Sequence, residues 1–311
     1  MLKGVYLLSF LLNVHFSESM GRAPYYASGV TQDATLYKNF IVSVRDADDP
    51  RQRLCLGTII NRKLILTAAH CVVDKQGNKL KVQIVAGTFI ENFESDPKAV
   101  IRNVSSIYVH PNYEHKAAAN DLAVLELNNT LEYYNTNITS AAISDQIPDY
   151  PECYVFGWGC NTNTTHLFEK LQMKIMFIYD RTKCQRRYGA NFYANELCAD
   201  NSGTVFCAND TGGPLICKNK LVAVVSYLSD QEVYPNLFML VSRHIGFIHN
   251  PVGMMQFYST ASKIKVKISE ILFKNDNGDF PSKIENGKVF ESTIIHGPIE
   301  YPTCPLAIKK I

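Results

Sequence analysis

The sequence predicts an all-β protein on the strength of three features. Apolar and β-branched residues come in short runs, at 40–44, 64–68, 81–86, 122–127, 152–156, 171–177 and 221–227, each of strand length. Turn-forming residues separate the runs, which is the cadence of a sandwich or barrel rather than of βαβ units. With 311 residues, 46% of them hydrophobic, the chain is also long enough to bury a large core, in one big domain or two smaller ones. No segment repeats at a solenoid period.

Residues 1–19 have the pattern of a secretory signal peptide: Lys3, an apolar run over 5–14, then the small residues Ser17 and Ser19 before Met20. That run is too short to span a bilayer, and no later stretch is long enough, so a secreted, extracellular protein with no membrane span is expected. The region 20–249 holds all seven apolar runs and closes with a segment over 241–249 that suits a terminal helix ending at Asn250-Pro251. Residues 250–311 form an extension. Within it, Lys-Ile-Lys-Val-Lys-Ile-Ser at 263–269 alternates charged and apolar side chains, the pattern of a strand with one cationic and one apolar face, lying on the core's own surface or docking a partner.

Composition narrows the partners. Lys and Arg number 31 against 29 Asp and Glu, a formal net charge of +2, which gives no polyelectrolyte signal and argues against nucleic acid. Nine cysteines in a secreted chain argue for disulfides and leave at least one without an internal partner. Asn103, Asn128, Asn137 and Asn163 each head an Asn-x-Ser/Thr acceptor for glycosylation. Asn209-Asp-Thr also fits, but its loop is expected to be packed.

The candidate chemistry lies in three places. Leu-Thr-Ala-Ala-His-Cys at 66–71 puts His70 at the end of an apolar strand, and Asn-Asp-Leu-Ala-Val-Leu-Glu-Leu at 120–127 puts Asp121 at the head of a buried-looking one. Cys-Ala-Asn-Asp-Thr-Gly-Gly-Pro-Leu-Ile-Cys at 207–217 carries the hydroxyl of Thr211 in a glycine-rich turn. An imidazole, a carboxylate and a hydroxyl in one chain are the parts of a nucleophilic triad. The other histidines show no convergent partners. His110 and His115 flank a Pro-Asn-Tyr-Glu loop, where solvated or locally bonded rings are expected, so neither a metal nor another cofactor is expected.

These motifs, in the order His, Asp, hydroxyl, resemble those of the trypsin-like (chymotrypsin-fold) serine protease family over about residues 31–249. Gly157-Trp158-Gly159 after Cys153, and Val225-Ser226-Tyr227, fall where that family has matching segments. The resemblance implies two packed six-stranded antiparallel β-barrels with a short C-terminal helix. It implies His70 as general base, Asp121 as its orienting acid, Thr211 at the nucleophile position, and the backbone N–H groups of Asn209 and Thr211 as the oxyanion hole. It further implies disulfides Cys55–Cys71, Cys153–Cys217 and Cys184–Cys198. The family partner of Cys207 is missing, and Cys160 is expected to replace it. Cys304 is then the odd thiol, with an intermolecular disulfide as its expected fate.

Four departures from the family bear on activity. Thr211 stands for the serine, and its extra methyl restricts χ1 and crowds the nucleophile. Asn209 stands for a glycine whose backbone must turn into the oxyanion hole. The segment before the barrel reads Gly21-Arg-Ala-Pro-Tyr-Tyr-Ala-Ser-Gly-Val, without the Ile-Val-Gly-Gly start whose freed amine pairs with the acid before the nucleophile, so Asp210 is expected to lack that partner and the loop to stay zymogen-like. In the specificity pocket, Val205 replaces a charge, and Leu228 and Asn236 replace two glycines. The expected function is that of a non-catalytic serine protease homologue, insect-type, of haemolymph or seminal fluid, binding an extracellular protease, inhibitor or receptor. The alternative is a weak or narrow secreted endopeptidase using Thr211 with His70 and Asp121.

Overall fold

A computed structural model of the protein describes residues 32–33, 38–134, 138–146, 152–159, 168–200, 206–229 and 234–273, with side chains in the last helix as far as Lys265. After the two-residue strand β1 (Gln32–Asp33), six strands close a barrel in the order β2-β3-β4-β7-β6-β5. They are β2 (Ile41–Asp46), β3 (Arg53–Ile59), β4 (Leu64–Thr67), β5 (Val82–Ala86), β6 (Val100–Val109) and β7 (Ala123–Leu127). The second half contains β8 (Glu152–Gly157), β9 (Gln172–Phe177), β10 (Glu196–Ala199), β11 (Pro214–Cys217), β12 (Lys220–Tyr227) and β13 (Asn236–Leu240), with β1 on the outer edge of β9. A bridge between Ile178 and Ala199, with Tyr179 N–H donating to Cys198 O at 3.0 Å, brings the two ends of this sheet together, so it also curls into a barrel. The two antiparallel barrels are those the sequence led one to expect.

The strands form because each has an apolar face to bury. Val42, Val44, Leu56, Ile65, Leu66 and Ile84 fill the first barrel, and that core continues through Phe156, Trp158 and Val224 into the second. Val155, Met176, Leu215, Val225 and Phe238 fill the rest. Each such side chain contributes about 1.5–3 kcal/mol by leaving water. Disulfides Cys55–Cys71, Cys153–Cys217 and Cys184–Cys198 are formed as expected, and each is worth about 2–4 kcal/mol. Cys207 is disulfide-bonded too. Cys160 and Cys304 lie outside the described residues, as do the leader, the segment 21–30, Asn137 and Asn163. Asn103 and Asn128 are both exposed and adjacent, the N–H of Asn128 donating to Asn103 O at 3.0 Å.

The helices are α1 (Arg181–Tyr188), α2 (Ile245–His249) and α3 (Pro251–Phe273). The strand expected at 263–269 is not there, because those residues are the later turns of α3. Asn250-Pro251 ends α2 and starts α3: proline occupies the first helical position, and Asn250 Oδ1 caps it by accepting Gly253 N–H at 3.0 Å. Once that helix is nucleated, each further residue adds one hydrogen bond with no new nucleus, whereas an isolated strand would have nothing to pair with. A period-two pattern lost to helix propagation.

His244, which shows no partner in the sequence, packs at the root of α2 against His110, with Nδ1 3.3 Å from His110 Nε2 and Phe247 edge-on to the His110 ring. Burial pushes His110 down to about 4, and burial together with His110 pushes His244 down to about 3. Unfolded, each titrates near about 6.5, so this contribution is whole above that pH. As pH falls from there toward the folded values, each histidine removes about 1.4 kcal/mol per pH unit. Denaturant midpoints at about pH 7 and about pH 5 should therefore differ, and the double variant His110→Gln/His244→Gln should narrow the gap. Equal midpoints for the native protein would refute the linkage.

Candidate active site

His70 lies in a one-turn 3-10 helix at the end of β4, where Ala68 and Ala69 are fully buried and the Cys55–Cys71 disulfide pins the next residue. Asp121 comes from the loop before β7. Asn120 takes a left-handed conformation, φ 52°, which asparagine tolerates better than most residues, and the Asp121 carboxylate then points inward with no exposure. Its Oδ1 accepts His70 N–H at 2.9 Å, and its Oδ2 faces His70 Nδ1 at 2.7 Å. Ser226 Oγ adds a donor to Oδ2 at 2.6 Å. Burial alone would raise the pKa of Asp121, but His70 and these hydrogen bonds outweigh it and hold the carboxyl below its ordinary value. The imidazole is therefore fixed with Nδ1–H donating to the carboxylate and Nε2 turned to Thr211 Oγ1 at 2.8 Å. The three expected residues meet. Ser226 belongs to the Val225-Ser226-Tyr227 segment, but nothing in the sequence ties it to Asp121.

The Thr211 loop is sewn between the barrels. Thr211 O accepts Leu56 N–H at 2.9 Å from β3, and Gly212 N–H donates to Val225 O at 2.7 Å on β12. Gly212 has φ 77°, and a Cβ there would lie 2.5 Å from Leu56 O and 2.4 Å from Thr67 Oγ1, so only glycine fits. The loop itself, Ala208–Asp210, is a 3-10 turn. In that turn Thr211 N–H, one of the two expected oxyanion donors, is given to Ala208 O at 3.1 Å. Thr211 Oγ1 lies 2.6 Å from the same carbonyl oxygen. A carbonyl accepts only, so the one hydroxyl proton of Thr211 is contested between Ala208 O and His70 Nε2. The partial negative charge of Ala208 O also sits where an oxyanion would need donors.

Asp210 has a side-chain partner that the sequence did not point to. Arg53 Nη1 is 2.9 Å from Asp210 Oδ1, and both side chains are almost wholly buried. The same nitrogen donates to Asn209 O, and Asn209 Nδ2 donates back to Arg53 O at 2.7 Å. Asn209 is exposed, contrary to the packed loop expected there, but its amide nitrogen is committed to that contact. Arg53 Nε reaches Glu91 Oε2 at 3.1 Å, and Glu91 pairs in turn with buried Arg45 at 3.3 Å. The Gly-Trp-Gly motif has its use here: a Cβ on Gly157 would stand 2.6 Å from the Asp210 carboxyl, and the N–H groups of Trp158 and Gly159 donate to its two oxygens at 2.9 Å each. Burial drives the Asp210 carboxyl above its ordinary value, against the pull of Arg53 and the N–H groups of Cys207, Trp158 and Gly159.

The cleft over these groups is walled by Leu54, Leu80, Tyr113, His115, Tyr227 and Leu228. His115 is locally bonded, as expected, its Nδ1 2.9 Å from the Tyr113 hydroxyl. Asn236 is fully buried, donating to Asp200 O at 2.8 Å and accepting Ser229 N–H at 2.9 Å, so its amide occupies space that a glycine would leave open. Val205 lies outside the described residues. Cys55, His70 and Cys71 bring ligand-type atoms together, but both sulfurs are spent in one disulfide and neither is a thiolate.

The family model described as Trypsin matches residues 28–248. Hypodermin-A of Hypoderma lineatum is 32% identical over 195 residues, covering 60% of this chain and 73% of that protein. Chymotrypsin-C of Mus musculus is 31% identical over 223 residues, covering 67% of this chain and 81% of its own. The solved structure of neuropsin, a serine protease expressed in the limbic system of mouse brain, has a TM-score of 0.61 at 22% identity over 69% of this chain and 94% of that one, a likeness of fold.

Proposed function

Because the chain belongs to the trypsin family, with the fold and disulfides of extracellular endopeptidases, we propose that it is a non-catalytic member acting as an extracellular binding protein. One observation carries the reading: Ala208 O takes the Thr211 N–H and competes for the Thr211 hydroxyl proton. A hydroxyl must pass its proton to His70 to attack, and a tetrahedral intermediate must find free N–H groups. The threonine methyl adds to both obstacles. The cleft rim at Tyr113, His115, Tyr227 and Leu228 is then a surface that holds a protein partner without cutting it.

A second reading rests on a separate observation. The 2.7 Å and 2.8 Å contacts along Asp121, His70 and Thr211 are those of an assembled triad, which favours a peptidase with a threonine nucleophile. Incubating the purified disulfide-bonded protein with a fluorophosphonate probe separates the two. No labelling of the native protein, and no hydrolysis of peptide esters, is expected. Labelling of the native protein that disappears in Thr211→Ala would overturn the binding-protein reading in favour of the peptidase.

A further inference from the structure

Helix α1 has the sequence Arg-Thr-Lys-Cys-Gln-Arg-Arg-Tyr, four cations in eight residues and no acid. Cys184, buried and joined to Cys198, fixes which side faces inward. Arg186 and Arg187 are exposed and fall at i+3 and i+4 from half-buried Lys183, which puts their Cβ atoms about 5–6 Å from that of Lys183. Arg243, exposed at the end of the 3-10 turn after β13, lines one cleft of ≈ 280 Å³ together with Arg181. None of these five cations forms an ion pair among the described residues. The two acids of that cleft are engaged elsewhere: Asp180 caps α1 by accepting Lys183 N–H at 2.9 Å, and buried Glu196 accepts Tyr193 N–H at 3.0 Å.

Ring contacts account for two of these cations, Arg181 over Phe192 at 4.6 Å and Lys183 over Tyr179 at 3.2 Å, but not for Arg186, Arg187 or Arg243, and helix stability does not explain the arrangement as a whole. Arg186 and Arg187 suit the negative end of the helix dipole, but Arg181 and Lys183 sit in the first turn, at its positive end, and like charges at i, i+3 and i+4 repel. A net charge of +2 over the whole chain makes this a local concentration. We propose that the exposed cations of α1, with Arg243 beside Arg181 at its flank, form a binding surface for sulfated glycan chains. Four of the five cations are arginines, whose planar forks fit the oxygens of a sulfate in pairs. A protein partner would need an apolar anchor and a membrane an apolar edge, yet among the described residues no exposed large apolar side chain lies on α1 or at 243. A sulfated polymer needs only the charge.

The test is titration of the full-length protein with a size-defined heparin oligosaccharide at about 0.15 M salt, repeated as salt rises. Binding that weakens steeply with salt is expected. Arg186→Glu/Arg187→Glu should bind about tenfold or more weakly, whereas Lys75→Glu/Lys79→Glu, with the same change in net charge on an exposed loop, should stay within about twofold. Arg243→Ser, off the helix, should also weaken binding, which covers the case of a helix variant that fails to fold. No binding, equal loss in both charge-reversal variants, or equal binding of desulfated heparin or poly-glutamate would each overturn the proposal.

Discussion

Thr211→Ser alone should leave the protein unlabelled by a fluorophosphonate probe, while Thr211→Ser with Asn209→Gly should label at least about a hundredfold faster. The serine removes the methyl but leaves Ala208 O beside the hydroxyl and on the Thr211 N–H. That carbonyl is held by the 3-10 turn, and the turn is held by Asn209, whose Nδ2 donates to Arg53 O at 2.7 Å. Glycine at 209 has no amide to anchor and reaches the left-handed conformations that turning the 208–209 peptide would need. Freed, that peptide would point its N–H toward the oxyanion position, where one donor is worth about two to three decades in rate. If Thr211→Ser labels as fast as the double variant, Ala208 is not the obstacle. If the double variant stays dark, turning the 208–209 peptide does not restore the site.

Arg53→Met should destabilise the fold by about 3–5 kcal/mol in denaturant unfolding, the loss expected when one partner of a buried pair is removed. Asp210 has no exposed side-chain surface, and without Arg53 its charge would be held only by backbone N–H groups. Glu91 would lose one of its two guanidinium partners as well. Arg53→Met combined with Asp210→Asn should recover part of the loss, since the uncompensated charge goes with it. Arg53→Lys should rescue poorly, because one ammonium cannot serve Asp210, Asn209 O and Glu91 while stacking on Trp158. An Arg53→Met protein within about 0.5 kcal/mol of the native one would show that the pair does not hold the loop.

Much of the fold was legible because seven of the thirteen strands among the described residues advertise themselves as apolar runs. The others do not. β10 and β11 have four residues each, and β11 starts with Pro214. β6 runs Val-Ile-Arg-Asn-Val-Ser-Ser-Ile-Tyr-Val with its polar side chains toward water, so its apolar content is diluted. Three disulfides followed from the family resemblance, while the helical course of 263–269 and the meeting of His110 with His244 did not. Those two outcomes depended on neighbours: a nucleated helix upstream in one case, and a ring 134 residues away in the other.

Residue identities alone establish which chemical groups this protein owns: an imidazole, a carboxylate and a threonine hydroxyl in motifs specific enough to set the family, with threonine and asparagine where serine and glycine would stand. What those groups can do depends on how the fold brings them together. The hydroxyl of Thr211 has one proton and two acceptors in reach, and the second of them is put there by a turn clamped to Arg53, 157 residues away from Asp210. Residue identity fixes the number of donors and acceptors; which of them meet is set by distances that chain neighbours do not control.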